Sequence, residues 1–136
     1  PVGALPSGRK ALEPLADGCS PAPGMDMCGP TAVIKSVTKL NHANLNGTLF
    51  NLWLSGISMS TLEGKRRFVE LVRTYQDLGG HHVQVNTIAK ETLRDAQKNP
   101  LKYPTLMVRV AGYSAYFIDL SKPVQDHIIA RVEHNV

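Results

Sequence analysis

Few residues in this 136-residue sequence could do chemistry by type and spacing. Cys19 and Cys28 stand nine positions apart in a stretch rich in glycine and proline. Two cysteines are too few for the disulfide framework of a small secreted scaffold, so both are expected as reduced thiols. His42, His81, His82, His127 and His134 show no HxxxH pair on a helix and no CxxC beside them, and no metal site is expected. The remaining candidate is the run Arg109-Val110-Ala111-Gly112-Tyr113-Ser114. A glycine between a β-rich run and an aromatic marks a bulge or a residue needing φ > 0. No nucleophile–base pair, phosphate loop or carboxylate pair adjoins it. On the residues alone, Gly112 is a bend.

The elements that must hold this run follow from periodicity and punctuation. Residues 1–30 contain five glycines and six prolines, which forbids any regular element longer than a few residues. So long a loop is uncommon in a free domain, and it is expected to lie against protein outside this sequence. Pro30 suits a first helical turn, with Val33, Val37 and Leu40 as one buried stripe. After Asn46-Gly47, residues 48–54 are nearly all apolar, as in a strand covered on both faces. Ser60 and Glu63 form a capping-box pair before a helix whose stripe is Phe68, Leu71, Val72 and Tyr75. Lys65, Arg66 and Arg67 fall on its solvated side, and Gly79-Gly80 ends it.

Val83-Gln84-Val85-Asn86 alternates as a strand, its two amides facing water on a surface sheet or lining a barrel interior. A short helix is predicted over 89–98, stopped by Asn99-Pro100. A third strand is predicted from Thr105 to Val110, with Leu106, Val108 and Val110 on one face. Ser121 is the expected N-cap of a last helix with Pro123 in its first turn and a stripe of Val124, Ile128, Ile129 and Val132. The fold class is mixed α/β.

Composition excludes more than it assigns. With 43% apolar and 19% charged residues the chain is globular rather than disordered. A net charge of +4, spread along the chain, makes no case for nucleic acid. No stretch nears the roughly 18–20 apolar residues of a membrane span. No signal segment or lipidation motif is present, so the expected location is the cytoplasm, or a bacterial microcompartment within it. Opening on Pro1 without Met, the sequence reads as a piece of something longer.

The wider sequence resembles a known family. Lys98-Asn99-Pro100-Leu101-Lys102-Tyr103-Pro104-Thr105-Leu106-Met107-Val108-Arg109-Val110-Ala111-Gly112-Tyr113-Ser114-Ala115-Tyr116-Phe117 is similar to the radical-bearing C-terminal segment of the glycyl radical enzymes. So are Asp119 to Arg131, Gly29-Pro30-Thr31-Ala32, Val83 to Asn86, and Ser7-Gly8-Arg9-Lys10 with Pro14 to Gly18. The resemblance covers essentially the whole chain. It implies that Gly112 carries a protein-derived glycyl radical, with Arg109, Val110, Ala111, Tyr113 and Ser114 supporting its loop. It implies a fold in which this chain is the C-terminal part of a ten-stranded α/β barrel, with a buried glycine loop and a C-terminal helix. On this reading residues 1–30 pack on the rest of the parent polypeptide and residues 31–136 form the glycine radical domain.

The physical demand for glycine is plain. An α-carbon radical flanked by an electron-donating amide nitrogen and an electron-withdrawing carbonyl delocalises its spin. A planar radical carbon also tolerates no crowding Cβ. In the family a separate radical S-adenosylmethionine activating enzyme with an iron–sulfur cluster makes the radical. The radical then converts a cysteine to a thiyl that attacks substrate. Cys19 and Cys28 lack the context of that cysteine, which is expected outside this chain. The resemblance further implies a homodimer of the full-length enzyme, no metal in this domain, and no activity of this segment alone.

Ala111 and Ser114 are closer to the diol, choline and hydroxyproline eliminases, arylacetate decarboxylases and hydrocarbon–fumarate adding enzymes than to pyruvate formate-lyase. The expected reaction is C–O or C–N elimination from a small substrate. The alternatives are a radical decarboxylase, a pyruvate formate-lyase-type acyltransferase and a free-standing spare-part radical subunit. A non-catalytic α/β binding module of accidental likeness is the reading from a different class.

Overall fold

The computed structural model describes residues 3–131 and 133–135. Helix α1 (Pro30–Val37) is followed by strand β1 (Leu49–Trp53) and the short helix α2 (Gly56–Ser60). The long helix α3 (Leu62–Asp77) leads to strand β2 (His82–Asn86) and helix α4 (Lys90–Lys98). Strands β3 (Met107–Arg109) and β4 (Ser114–Tyr116) and helix α5 (Lys122–Ala130) complete the order. β1 pairs with β2 in parallel, from Leu49↔His82 to Trp53↔Asn86. Parallel neighbours need a crossover connection, which α2 and α3 supply. β3 and β4 form a separate antiparallel pair, with Arg109 opposite Ser114. Among the described residues no helix is long and apolar enough to cross a membrane.

β1 organises the molecule because side chains alternate across a strand. Phe50, Leu52 and Leu54 point to one core with Val33, Ile34, Val37, Leu71 and Tyr75. Trp53 belongs to a second core with Leu93, Ala96, Val108, Val110, Phe117 and Ile128. Both faces of the strand are thus covered, as its apolar run implies. Burial pushes the Tyr75 phenol up to about 12, so it stays protonated and donates to the His82 carbonyl at 3.1 Å.

Several local expectations shift. Leu40 is not part of the α1 stripe: the helix stops at Val37, Leu40 is exposed, and the fully buried partner is Ile34. The last turn is closed by the Thr38 hydroxyl, which donates to the Ile34 carbonyl, and by His42 Nε2, 3.0 Å from the Val37 carbonyl. The cap of α3 is Thr61 rather than Ser60. Thr61 is extended and its hydroxyl accepts the Gly64 N–H at 2.9 Å, while the Ser60 hydroxyl turns back to Ile57. Thr61→Ala is therefore expected to cost about 1 kcal/mol in a urea melt, and Ser60→Ala only a few tenths.

Residues 3–29 hold no helix or strand, as their punctuation requires, yet part of them packs on this chain. Gly18 bridges to Phe50, the Cys19 N–H reaches the Leu49 carbonyl at 2.9 Å, and the Asn51 N–H donates to the Ser20 hydroxyl at 2.9 Å. Gly18 to Ser20, within the segment expected to lie against protein outside this sequence, line the free edge of β1. The third strand is shorter than the predicted 105–110 and belongs to a hairpin, because β4 was hidden in the three-residue run Ser114-Ala115-Tyr116. Ser121 does stand at the N-cap of α5, but its hydroxyl makes no capping bond. Ile128 is buried in the second core, Val124 and Ile129 pack against that core, and Val132 lies outside the described residues.

Candidate functional site

The Arg109–Ser114 run closes the β3–β4 hairpin. Val110 N–H donates to the Tyr113 carbonyl at 2.9 Å, leaving Ala111 and Gly112 as the loop between them. Gly112 has φ +79°. A positive φ lies in the left-handed region, which glycine adopts at least cost. The bend read from residue types alone is therefore present.

Crowding does not demand glycine there. A Cβ built on Gly112 would meet nothing nearer than Leu49 Cδ2, at 3.9 Å. The expectation of a buried glycine loop is corrected for this chain: Gly112, Tyr113 and Ser114 are all exposed. No element of the described residues crosses over the hairpin tip, so nothing here covers it. Met107 and Tyr116, paired across the hairpin, also show large apolar surface.

What holds the loop from below is polar. The Arg109 Nε–H donates to Gln84 Oε1 at 2.9 Å, and its Nη1 donates to the Ser114 hydroxyl at 3.2 Å. Gln84 Nε2 donates in turn to Asn51 Oδ1, and Asn51 Nδ2 donates to the Val110 carbonyl at 3.4 Å. Arg131 reaches the same carbonyl with Nη1 and Nη2, each at 3.4 Å. Its guanidinium lies 5.1 Å from the centre of the Trp53 ring and is ion-paired to Asp17. Burial pulls the Arg131 pKa down, partly offset by Asp17, and the group stays a cation at any ordinary pH.

Arg109 and Ser114 are therefore loop supports by hydrogen bonding, and Val110 by its carbonyl and its buried side chain. Ala111 is half-buried in the loop, while Tyr113 supplies the carbonyl that closes it and holds its ring outward. Asn51, Gln84, Asp17 and Arg131 join them without having been singled out for this role. The amides of β2 do not face water as on a surface sheet: Gln84 is engaged at both ends and Asn86 is buried. A polar Asn51 at the centre of an apolar strand was the available signal.

A cleft beside the loop is lined by Asp17, Ser20, Asp26, Trp53, His127 and Arg131, among others. Burial pushes the His127 imidazole below its usual range. His134 Nε2 contacts Asp26 at 3.1 Å. Cys19 is half-buried and its thiol is pushed up by that burial, so it stays protonated; Cys28 is exposed. Neither forms a disulfide. Among the described residues no group of three or more His, Cys, Asp or Glu could hold a metal ion.

The chain is similar to known proteins over nearly its whole length. The sequence model of the family described as "Glycine radical" matches residues 15–118. The chain is 46% identical over 132 residues to trans-4-hydroxy-L-proline dehydratase of Clostridioides difficile, covering 97% of this chain and 17% of that enzyme. It is 44% identical over 135 residues to indoleacetate decarboxylase of Tractidigestivibacter scatoligenes, covering 98% of this chain and 15% of the relative. Its fold superposes on the B12-independent glycerol dehydratase of Clostridium butyricum with a TM-score of 0.93 and 52% identity, again over 98% of this chain and 17% of that one. The chain thus spans about one sixth of the length of these proteins. Its small mixed α/β fold matches the C-terminal part of such enzymes. The chain belongs to the glycine radical family and is a glycyl radical domain.

Proposed function

We propose that Gly112 is the residue that stores the radical, and that this chain acts as the C-terminal domain of a longer glycyl radical lyase. The observation that carries the proposal is the tip of the β3–β4 hairpin. Its α-carbon lacks a Cβ, is open to an approaching partner, and is held by bonds made to neighbouring residues rather than to itself. A hydrogen can leave such a carbon without any side chain having to move. The exposed Met107, Tyr113 and Tyr116 support cover by the remainder of the polypeptide, which would exclude water and oxygen.

On this reading residues 31–136 form the radical domain, and residues 1–30 run from the edge of β1 onto that remainder. The barrel, the homodimer and the cysteine that becomes a thiyl belong to the remainder. The initiating hydrogen abstraction belongs to a separate radical S-adenosylmethionine activating enzyme, in the cytoplasm or a microcompartment. The reaction is elimination of C–O or C–N from a small substrate, in keeping with the dehydratase relatives. The decarboxylase relative favours one second reading, loss of carbon dioxide from an arylacetate. Product analysis with a diol and an arylacetate separates the two.

Oxygen supplies the test of the radical site. The activated enzyme exposed to air is expected to be cut at Gly112, yielding by mass spectrometry a fragment that ends there. A chain left intact after aeration, despite full activation, contradicts the assignment.

A further inference from the structure

The Val110 carbonyl precedes Gly112 by two residues, and its partners are unusual for a hairpin loop. Among the described residues it takes no backbone N–H; it is held by Asn51 Nδ2 and by the two terminal nitrogens of Arg131. The direction of the Asn51 bond is dictated from a distance. Arg109 has only donors, so Gln84 must turn its oxygen to it. The Gln84 nitrogen then faces Asn51 and can only donate, so Asn51 presents its oxygen there. The Asn51 amide nitrogen is thereby turned to the Val110 carbonyl. Four groups, all on or beneath the hairpin, form a relay with a single polarity.

We propose that Gln84 is a positioning residue for Gly112, acting through Asn51 to set the Val110 peptide and hence the seat of the loop. The proposal rests on the reading of Gly112 as the radical site but concerns residues on β1 and β2, away from that carbon. Polarity, rather than the link to Arg109, is what Gln84 contributes. This separates two substitutions. Gln84→Leu removes both bonds. Gln84→Glu keeps, and strengthens, the bond to Arg109, but its carboxylate can only accept. Asn51 must then flip to donate to that carboxylate, which sets its own oxygen against the Val110 carbonyl.

The experiment is hydrogen exchange by mass spectrometry on the full-length enzyme carrying this domain, with the radical yield measured after activation. Both Gln84→Leu and Gln84→Glu are expected to speed exchange in the segment 107–116 by about tenfold, the loss of roughly one hydrogen bond. The radical yield should fall in both, while exchange in α3 and α4 stays as in the wild type. Gln84→Glu behaving as the wild type would overturn the proposal, since the link to Arg109 would then suffice. Faster exchange spread over β1, β2 and the helices would overturn it too, as the mark of a merely structural residue. Should exchange change as expected while even the wild type yields no radical, the failure lies with the reading of Gly112 and not with the relay.

Discussion

The enzyme bearing Gly112→Ala is expected to fold with nearly normal stability and to lose all radical-dependent turnover. The two halves of this result have separate causes. Alanine at φ +79° is strained, which costs about 1–2 kcal/mol. Its methyl group enters open space, since the nearest atom, Leu49 Cδ2, lies 3.9 Å away. Neither effect threatens a domain with two cores. Turnover, on the proposed reading of Gly112, depends on an α-carbon that a partner can approach closely, and a methyl group narrows that approach. Denaturant melts should show a shift of no more than about 2 kcal/mol, and product formation should fall to the uncatalysed background. Activity comparable to the wild type would mean that Gly112 is only a bend.

Phe117→Ala is expected to have the largest effect on stability, about 3–5 kcal/mol. Phe117 is fully buried, and its ring fills the second core beside Trp53, Val108 and Ile128. It also follows the last residue of β4, where its N–H donates to the Leu106 carbonyl at 2.8 Å and its carbonyl accepts from Gln125 Nε2 at 2.9 Å. Truncation leaves those backbone bonds possible but opens a cavity under the hairpin, so the Ala111–Gly112 loop should loosen with the core. A urea titration measures the loss, and a change below about 1 kcal/mol would show that the core repacks around the gap.

What could be read from residues alone follows the range of each interaction. The covered strand β1 was legible because an apolar run bounded by Asn46-Gly47 needs no knowledge of its neighbours. Helix α3 was legible from Phe68, Leu71 and Tyr75, but its cap was misplaced by one residue. Ser60 and Thr61 are both hydroxyl residues, and only backbone conformation decides which one caps. The hairpin was half seen: Val108 and Val110 alternate, whereas Ser114-Ala115-Tyr116 is too short and too mixed to show a period.

The motif pointed to Gly112 and, within the same run, to Arg109 and Ser114, which bond to each other beside the loop, but not to the residues beneath it. Gln84 and Asn51 meet only because the parallel register places residue 51 opposite residue 84, a fact of pairing rather than of either segment. Arg131 reaches the same loop from the end of α5, 21 residues beyond Val110. The exposure of Gly112 was likewise invisible, since it depends on what lies over the hairpin.

The most direct measurement is the electron paramagnetic resonance spectrum of the full-length enzyme, activated without oxygen by its cognate radical S-adenosylmethionine enzyme. A glycyl radical retains one α-hydrogen, so the account predicts a doublet. That doublet should collapse to a narrow line when the glycines carry α-deuterium, and it should vanish in Gly112→Ala. A signal that survives the substitution, or a doublet indifferent to deuteration, would contradict the placement of the unpaired electron at Gly112.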